Sequence, residues 1–336
     1  MIRKYRQDQR YYFHYGWFNL LTQTAHHYGI DLDSIDSYRE MLVLGKDNPD
    51  IRLARELQNE LIKQSRYDFS IDAAKYVTPF TFGSFSVALW SAPTLHQCLE
   101  LLCEHFIILT PQADISLHQI GEVTELWITN SQTPESYSIT QVGISLMVCV
   151  ILEILRQLNK GEVLPCRIYA PHHNYSKDLV DKFCQTYQVS SIEKSPIRKI
   201  TFKTQQLQQP SPFANPQLLE HNLTWIQERT AKLNLNDIRL QVSLVLDELP
   251  TLRNVTSTLV AQKLFTSPRT LNRRLSYAQT NFKAILNNYR LQKALTLLQD
   301  PDNNMTEIAF QLGFSELSCF TRAFKRWTGE APSSIK

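Results

Sequence analysis

A chain of 336 residues with 43% hydrophobic and 20% charged residues has room for two cored domains and an ordinary soluble-protein composition. The net charge of +3 hides a division: Thr251 to Lys336 carries twelve Lys and Arg against five Asp and Glu, a balance of +7 that leaves −4 for the rest. A basic excess gathered in the last quarter suits phosphate binding, whereas the absence of an apolar core after Met1–Arg6 and of a long apolar run excludes a signal peptide and a membrane span from the reading.

In chain order, residues 17–28 read as a short helix ending at Gly29, and 51–64 repeat apolar positions at helical spacing. Ser84 to Trp90 alternates, with Phe85, Val87 and Leu89 on one side, and is expected as a strand. Pro93-Thr94 opens an amphipathic helix through Leu95, Cys98, Leu99, Leu102 and Phe106, with Thr94 as its N-cap. Two strands are expected near 113–119 and 123–129, separated by Gly121, then a long helix over about 138–159. A strand near Arg167-Ile168-Tyr169, a helix over 176–187 and a strand from Ile197 to Phe202 complete a mixed α+β domain. After the Gln- and Pro-rich segment 205–216, a helix over 216–232 leads to Leu233-Asn234-Leu235-Asn236, expected as a hinge.

The remainder is helical and carries one pattern twice. Val260 to Ser267 and Ile308 to Ser315 each read as a helix ending in a tight turn, and Pro268–Leu275 and Glu316–Phe324 as the helices that follow. In the first copy Ser267 caps the second helix, Pro268 takes its first position, Leu271 and Leu275 face inward, and Arg269, Asn272 and Arg273 face outward. In the second, Ser315 is expected as the cap and Phe320 and Phe324 as the inner pair, with Ser318, Thr321, Arg322 and Lys325 outside. Phe282, Ile285, Leu286, Tyr289, Ala294, Leu297 and Leu298 fit a long connecting helix. A rigid connector matters because successive major grooves lie about 34 Å apart.

These residues resemble the DNA-binding domain of AraC/XylS-type transcription regulators. The resemblance rests on Glu307-Ile308-Ala309, Leu312-Gly313-Phe314-Ser315, Phe320 to Gly329 and Pro332, together with Ser267 to Leu275. It implies that Arg269, Asn272, Arg273, Ser318, Thr321 and Arg322 read base edges, and that Ser267, Thr270, Ser315, Lys325 and Arg326 suit the DNA backbone. Phe265 departs from the family's usual Gly, so the first turn is expected to be reshaped. Residues Gly83 to Leu95, continuing through Cys98 to Leu102, resemble the arabinose-binding-type N-terminal domain of one AraC subgroup. That similarity implies effector sensing, dimerisation or both.

Other chemistries find little support. The nine glycines are spread so that no two lie closer than Gly16 and Gly29, which leaves no Walker loop, G-x-G-x-x-G loop or G-x-S-x-G elbow. His26-His27 and His172-His173 lack the spacing of a helical metal pair. Pro165-Cys166-Arg167 partly resembles the Pro-Cys-His-Arg of DNA alkyl-repair transferases, some of which are fused to AraC-type domains, but the activating His is missing. The basic and aromatic N-terminal run (Arg3, Lys4, Tyr5, Arg6, Arg10, Tyr11, Tyr12, Phe13, Tyr15, Trp17, Phe18) suits packing better than stacking on nucleic acid. The six cysteines form no C-x-x-C pair and read as reduced thiols.

The expectation is a cytoplasmic, non-enzymatic regulator with no cofactor or metal. An α+β sensing and dimerisation domain (1–233) precedes an all-α DNA-binding domain (237–336), with helix-turn-helix units near 257–277 and 305–327 joined by a long helix. Its expected partners are double-stranded DNA, RNA polymerase, a small-molecule effector and a second copy of the chain, with activation favoured over repression. In the competing reading, the N-terminal domain only mediates dimerisation or protein interaction.

Overall fold

A computed structural model of the chain describes residues 12–44, 50–65, 69–130, 138–171, 175–278, 280–298, 300 and 302–334. The described residues up to Ala231 form one compact unit, and those from Lys232 onward form a second.

The first unit opens with α1 (Tyr15–His27), α2 (Asp36–Leu44), α3 (Ile51–Ser65) and the short α4 (Ser70–Ala74). His14 starts α1, its Nδ1 accepting the Gly16 amide at 3.0 Å. Gly29 follows the helix with φ +68°, where an L side chain would be strained. The N-terminal aromatics that are described serve packing. Tyr12, Phe13 and Phe18 are buried, and the Trp17 ring lies 4.8 Å from that of Phe82. Arg3, Lys4, Tyr5, Arg6, Arg10 and Tyr11 lie outside the described residues.

The expected strand over 84–90 is instead a helix, α5 (Ser84–Ser91). Phe85, Ala88 and Leu89, spaced three and four apart, are all fully buried, and so is Ser86. A short helix buried on nearly every side shows no polar face, and the alternation of Phe85, Val87 and Leu89 was misleading for that reason. The next helix, α6 (Leu95–His105), begins as expected, with Thr94 Oγ1 accepting the Gln97 amide at 3.2 Å.

A hairpin follows, β1 (Ala113–Ile120) and β2 (Val123–Asn130), turning at Gly121 with φ +58°. Positive φ is what a two-residue hairpin turn demands. Next come α7 (Gln141–Leu158), β3 (Cys166–Ala170), α8 (Lys177–Tyr187), β4 (Val189–Lys194), β5 (Arg198–Lys203), α9 (Thr204–Leu207) and α10 (Pro216–Asn236). The sheet order is β1-β2-β5-β3-β4, antiparallel except for β3 beside β4. That parallel pair needs a crossover, which α8 supplies. Helix α7 is long and apolar enough to cross a membrane by length and composition, but 67% of it is buried inside the protein, as a core helix.

Helix α10 corrects the hinge expectation. Leu233 to Asn236 form its last turn, because Leu and Asn without Gly or Pro do not break a helix already under way. The chain leaves helical geometry at Asp237, the N-cap of α11 (Ile238–Asp247). The second unit continues through α12 (Ser257–Lys263), α13 (Pro268–Tyr277), α14 (Phe282–Leu298), α15 (Met305–Gln311) and α16 (Leu317–Thr328), with a short 3₁₀ turn at Pro332–Ser334.

Candidate nucleic-acid interface

The pairs α12–α13 and α15–α16 are two copies of one device. At the end of α12, the Leu264, Phe265 and Thr266 amides donate to the carbonyls of Val260, Gln262 and Ala261 at 3.0, 3.0 and 2.9 Å. At the end of α15, Leu312, Gly313 and Phe314 donate to Ile308, Phe310 and Ala309 at 3.0, 2.9 and 2.9 Å. Phe265 adopts φ +52° and Gly313 φ +78°, so both turns take the left-handed conformation that lets the second helix cross the first. The expected reshaping of the first turn does not occur. Phe265 bears the local strain with its ring 98% exposed, where it meets no steric obstacle.

The second copy holds one extra residue between turn and helix, which corrects the capping expectation. Ser267 caps α13, its Oγ accepting the Thr270 amide at 3.1 Å. In the second copy Glu316, not Ser315, is the N-cap of α16, and it makes no side-chain bond to the helix amides. Its carboxylate instead accepts from Ser318 Oγ at 3.0 Å. With that insertion allowed for, Arg269, Asn272 and Arg273 of α13 match Ser318, Thr321 and Arg322 of α16.

Amphipathicity aims these side chains. Leu271 and Leu275 on α13, and Phe320, Ala323 and Phe324 on α16, are buried. Phe320 packs on Phe314 and Phe324, with ring centroids 5.7 and 5.6 Å apart. The connecting helix α14 braces the second turn, with the Arg290 guanidinium 5.0 Å from the Phe314 ring centre and donating to the Leu252 carbonyl at 3.4 Å. Burial lowers the Arg290 pKa.

The outward faces carry Arg269, Asn272 and Arg273 on α13 and Ser318, Arg322, Lys325 and Arg326 on α16, all exposed. Neither helix contains an acidic residue, so both faces present net positive charge. Thr321 and Thr270 are half-buried: Thr321 Oγ1 donates to the Leu317 carbonyl at 2.9 Å, and the Thr270 hydroxyl pairs with that of Ser267 at 2.9 Å. The adjacent arginines divide their work. Arg273 is exposed, while Arg274 donates to Gln241 Oε1 of α11 at 3.2 Å. Ser276 and Tyr277 stand where α16 has Lys325 and Arg326, and both are exposed on α13. Their one signal in the sequence is their place one turn beyond Asn272 and Arg273.

A family model described as a helix-turn-helix domain matches residues 260–336. The C-terminal domain is of the AraC type. An HTH-type transcriptional regulator of Mycobacterium tuberculosis is 44% identical to the chain over 78 residues, 23% of each. The ornithine utilization regulator of Pseudomonas aeruginosa is 27% identical over 160 residues, 46% of each. The matched segments therefore span between about a quarter and a half of these relatives' own lengths. The crystal structure of the transcriptional regulator CdpR from Pseudomonas aeruginosa aligns with 95% of this chain and 97% of its own, at 19% identity and a TM-score of 0.47. The AraC-type domain carries both exposed basic helices, and hence every residue expected to meet DNA.

The metal and alkyl-transfer candidates gain nothing from the geometry. His26 and His27 are exposed at the end of α1, and His172-His173 lies outside the described residues. Cys166 sits in β3, where burial pushes its thiol up to about 12 and opposes the thiolate that alkyl transfer would need.

Proposed function

We propose that the protein is a sequence-specific transcription regulator, an activator under the control of a small-molecule effector held by the N-terminal unit. The observation that carries the DNA-binding part is the matched pair of exposed helix faces on α13 and α16, each with more cations than acids. In this reading Arg269, Asn272, Arg273, Ser318, Thr321 and Arg322 read base edges: guanidinium groups suit guanine, the Asn amide suits adenine, and the Thr methyl suits thymine. Ser267, Thr270, Ser315, Lys325 and Arg326 hold the DNA backbone and set register. The DNA-binding part is taken as 237–336, with its two units near 257–277 and 305–327.

Effector binding would shift the population of states in which two protomers occupy neighbouring half-sites, bringing RNA polymerase to the promoter in the cytoplasm. The sensing role draws support from a cavity in the N-terminal unit that combines an apolar wall with a few polar groups, an arrangement that a domain used only for dimerisation does not need.

The deciding experiment maps bound sites across the genome, then measures affinity for the recovered operator by fluorescence anisotropy. Arg273→Ala and Arg322→Ala should each lose roughly 1–3 kcal/mol at the operator and less on unrelated DNA. Undiminished operator binding by both variants would overturn the assignment.

A further inference from the structure

The cavity in the N-terminal unit lies between α4, α7, α8 and the β3–β4–β5 side of the sheet. It holds about 620 Å³ of empty space, its opening included. Ile144 and Val148 of α7, Ile168 of β3 and Phe183 of α8 supply apolar wall. The polar groups on it include Ser145, Tyr175 and Arg198, with the two hydroxyls hydrogen-bonded to each other.

Arg198 is out of place by the logic of the sheet. Alternation along β5 puts it on the same face as Ile200 and Phe202, which are 0% and 2% exposed. The adjacent cation, Lys199, points to the other face and is paired with Glu125 at 2.7 Å. Arg198 has no such partner: among the described residues no Asp or Glu forms an ion pair with it, and its electrostatic neighbour is Tyr175. Burial pulls its guanidinium below the ordinary range. A half-buried cation with no anion among the described residues is costly, and such a breach of the apolar pattern is characteristic of a ligand site. A neutral hydrophobe would deepen that cost by covering the guanidinium. A carboxylate would remove it, because the guanidinium fork matches its two oxygens.

We propose that this cavity binds a small effector with an apolar body and a single carboxylate, the carboxylate paired by Arg198 and the body lodged against Ile144, Val148, Ile168 and Phe183. Its regulatory meaning rests on the effector-controlled reading above. Its chemistry can be tested without DNA.

The test titrates the full chain with benzoate and hexanoate, and separately with benzamide and hexanamide, by isothermal calorimetry. At least one acid should bind, roughly tenfold or more tighter than its own amide. Arg198→Gln should cost that acid a similar factor and leave the amide unchanged, and Val148→Trp should abolish binding by filling the cavity. Equal affinity for acid and amide overturns the proposal, as does failure of both acids to bind the parent chain at about 10 mM. The acid–amide comparison uses only the parent chain, so the proposal stays falsifiable if a variant does not fold. Acid binding that leaves operator affinity unchanged would support the pocket and count only against effector control.

Discussion

The carbonyl oxygen of Leu252 lies 2.2 Å from where a Cβ on Gly313 would sit. Backbone thus occupies the space that any side chain would need at the second turn, and φ of +78° adds a conformational reason for glycine. The equivalent Phe265 shares the left-handed φ but projects into solvent. Gly313→Ala should therefore lower the stability of the C-terminal unit by about 2 kcal/mol or more. Phe265→Gly relieves strain at some entropic cost, so it should be neutral or stabilising by up to about 1 kcal/mol. Urea unfolding of the C-terminal unit checks both. Equal losses at the two positions would show that close packing is not what distinguishes the turns.

His14 makes the N-terminal unit sensitive to acid. Burial, reinforced by the Arg229 charge, pulls its imidazole down from 6.5 to about 4, and its neutral Nδ1 accepts the Gly16 amide. The unfolded chain takes up the proton first, so stability falls as pH drops from about 6.5 and levels off below about 4. Relative to His14→Asn, which can cap without titrating, the parent should lose on the order of 3 kcal/mol across that window. Urea midpoints of the N-terminal unit at a series of pH values measure this. Parallel pH curves for parent and variant would refute it.

The second unit was largely legible because its logic is local. Caps, apolar pairs four residues apart and a repeated turn each sit within a few residues, and α13 and α14 follow from them directly. Ser315 failed as a cap because one inserted residue moved the start of α16, a shift that only backbone geometry reveals. In the first unit, α6, α7 and the hairpin were legible from capping and periodicity. Helix α5 was not, since burial on nearly all sides erased its amphipathic signal. Strand β4 escaped notice because Val189–Lys194 is short and polar and gains its identity only by pairing with β3. Arg198 gave no sequence signal: its meaning comes from sharing a face with Ile200 and Phe202 with no acid paired to it among the described residues, a fact of tertiary structure.

Asp237 and Arg239 mark where the DNA-binding domain can begin. Both are nearly buried, at 6% and 9% exposure, and Asp237 accepts the Arg239 amide at 2.8 Å while pairing with its guanidinium. A fragment covering 232–336 should fold alone and bind DNA. Asp237→Ala within it removes an N-cap and one partner of the buried Arg239 guanidinium, so it should cost about 1–3 kcal/mol. Circular dichroism and thermal melting decide the matter. A stable Asp237→Ala fragment would mean that α11 needs neither the cap nor the pair.

The two outward faces differ, and DNA binding should reveal the difference. Face α13 offers Arg269, Asn272 and Arg273, whereas α16 offers Ser318, a half-buried Thr321 whose hydroxyl is engaged with Leu317, and Arg322. Asn272→Ala removes a side chain able to make a bidentate adenine contact and should cost roughly 1–3 kcal/mol at one operator position. Thr321→Ala should cost less, because its hydroxyl is already bonded within the helix. Lys325, a flexible point charge at the far end of α16, fits a phosphate: Lys325→Ala should weaken operator and unrelated DNA alike and reduce the salt slope by about 1. Anisotropy titrations across a salt series separate these outcomes. If Thr321→Ala costs more than Asn272→Ala, the second helix is the principal reader. If Lys325→Ala changes base preference without changing the salt slope, its place on the phosphate backbone is wrong.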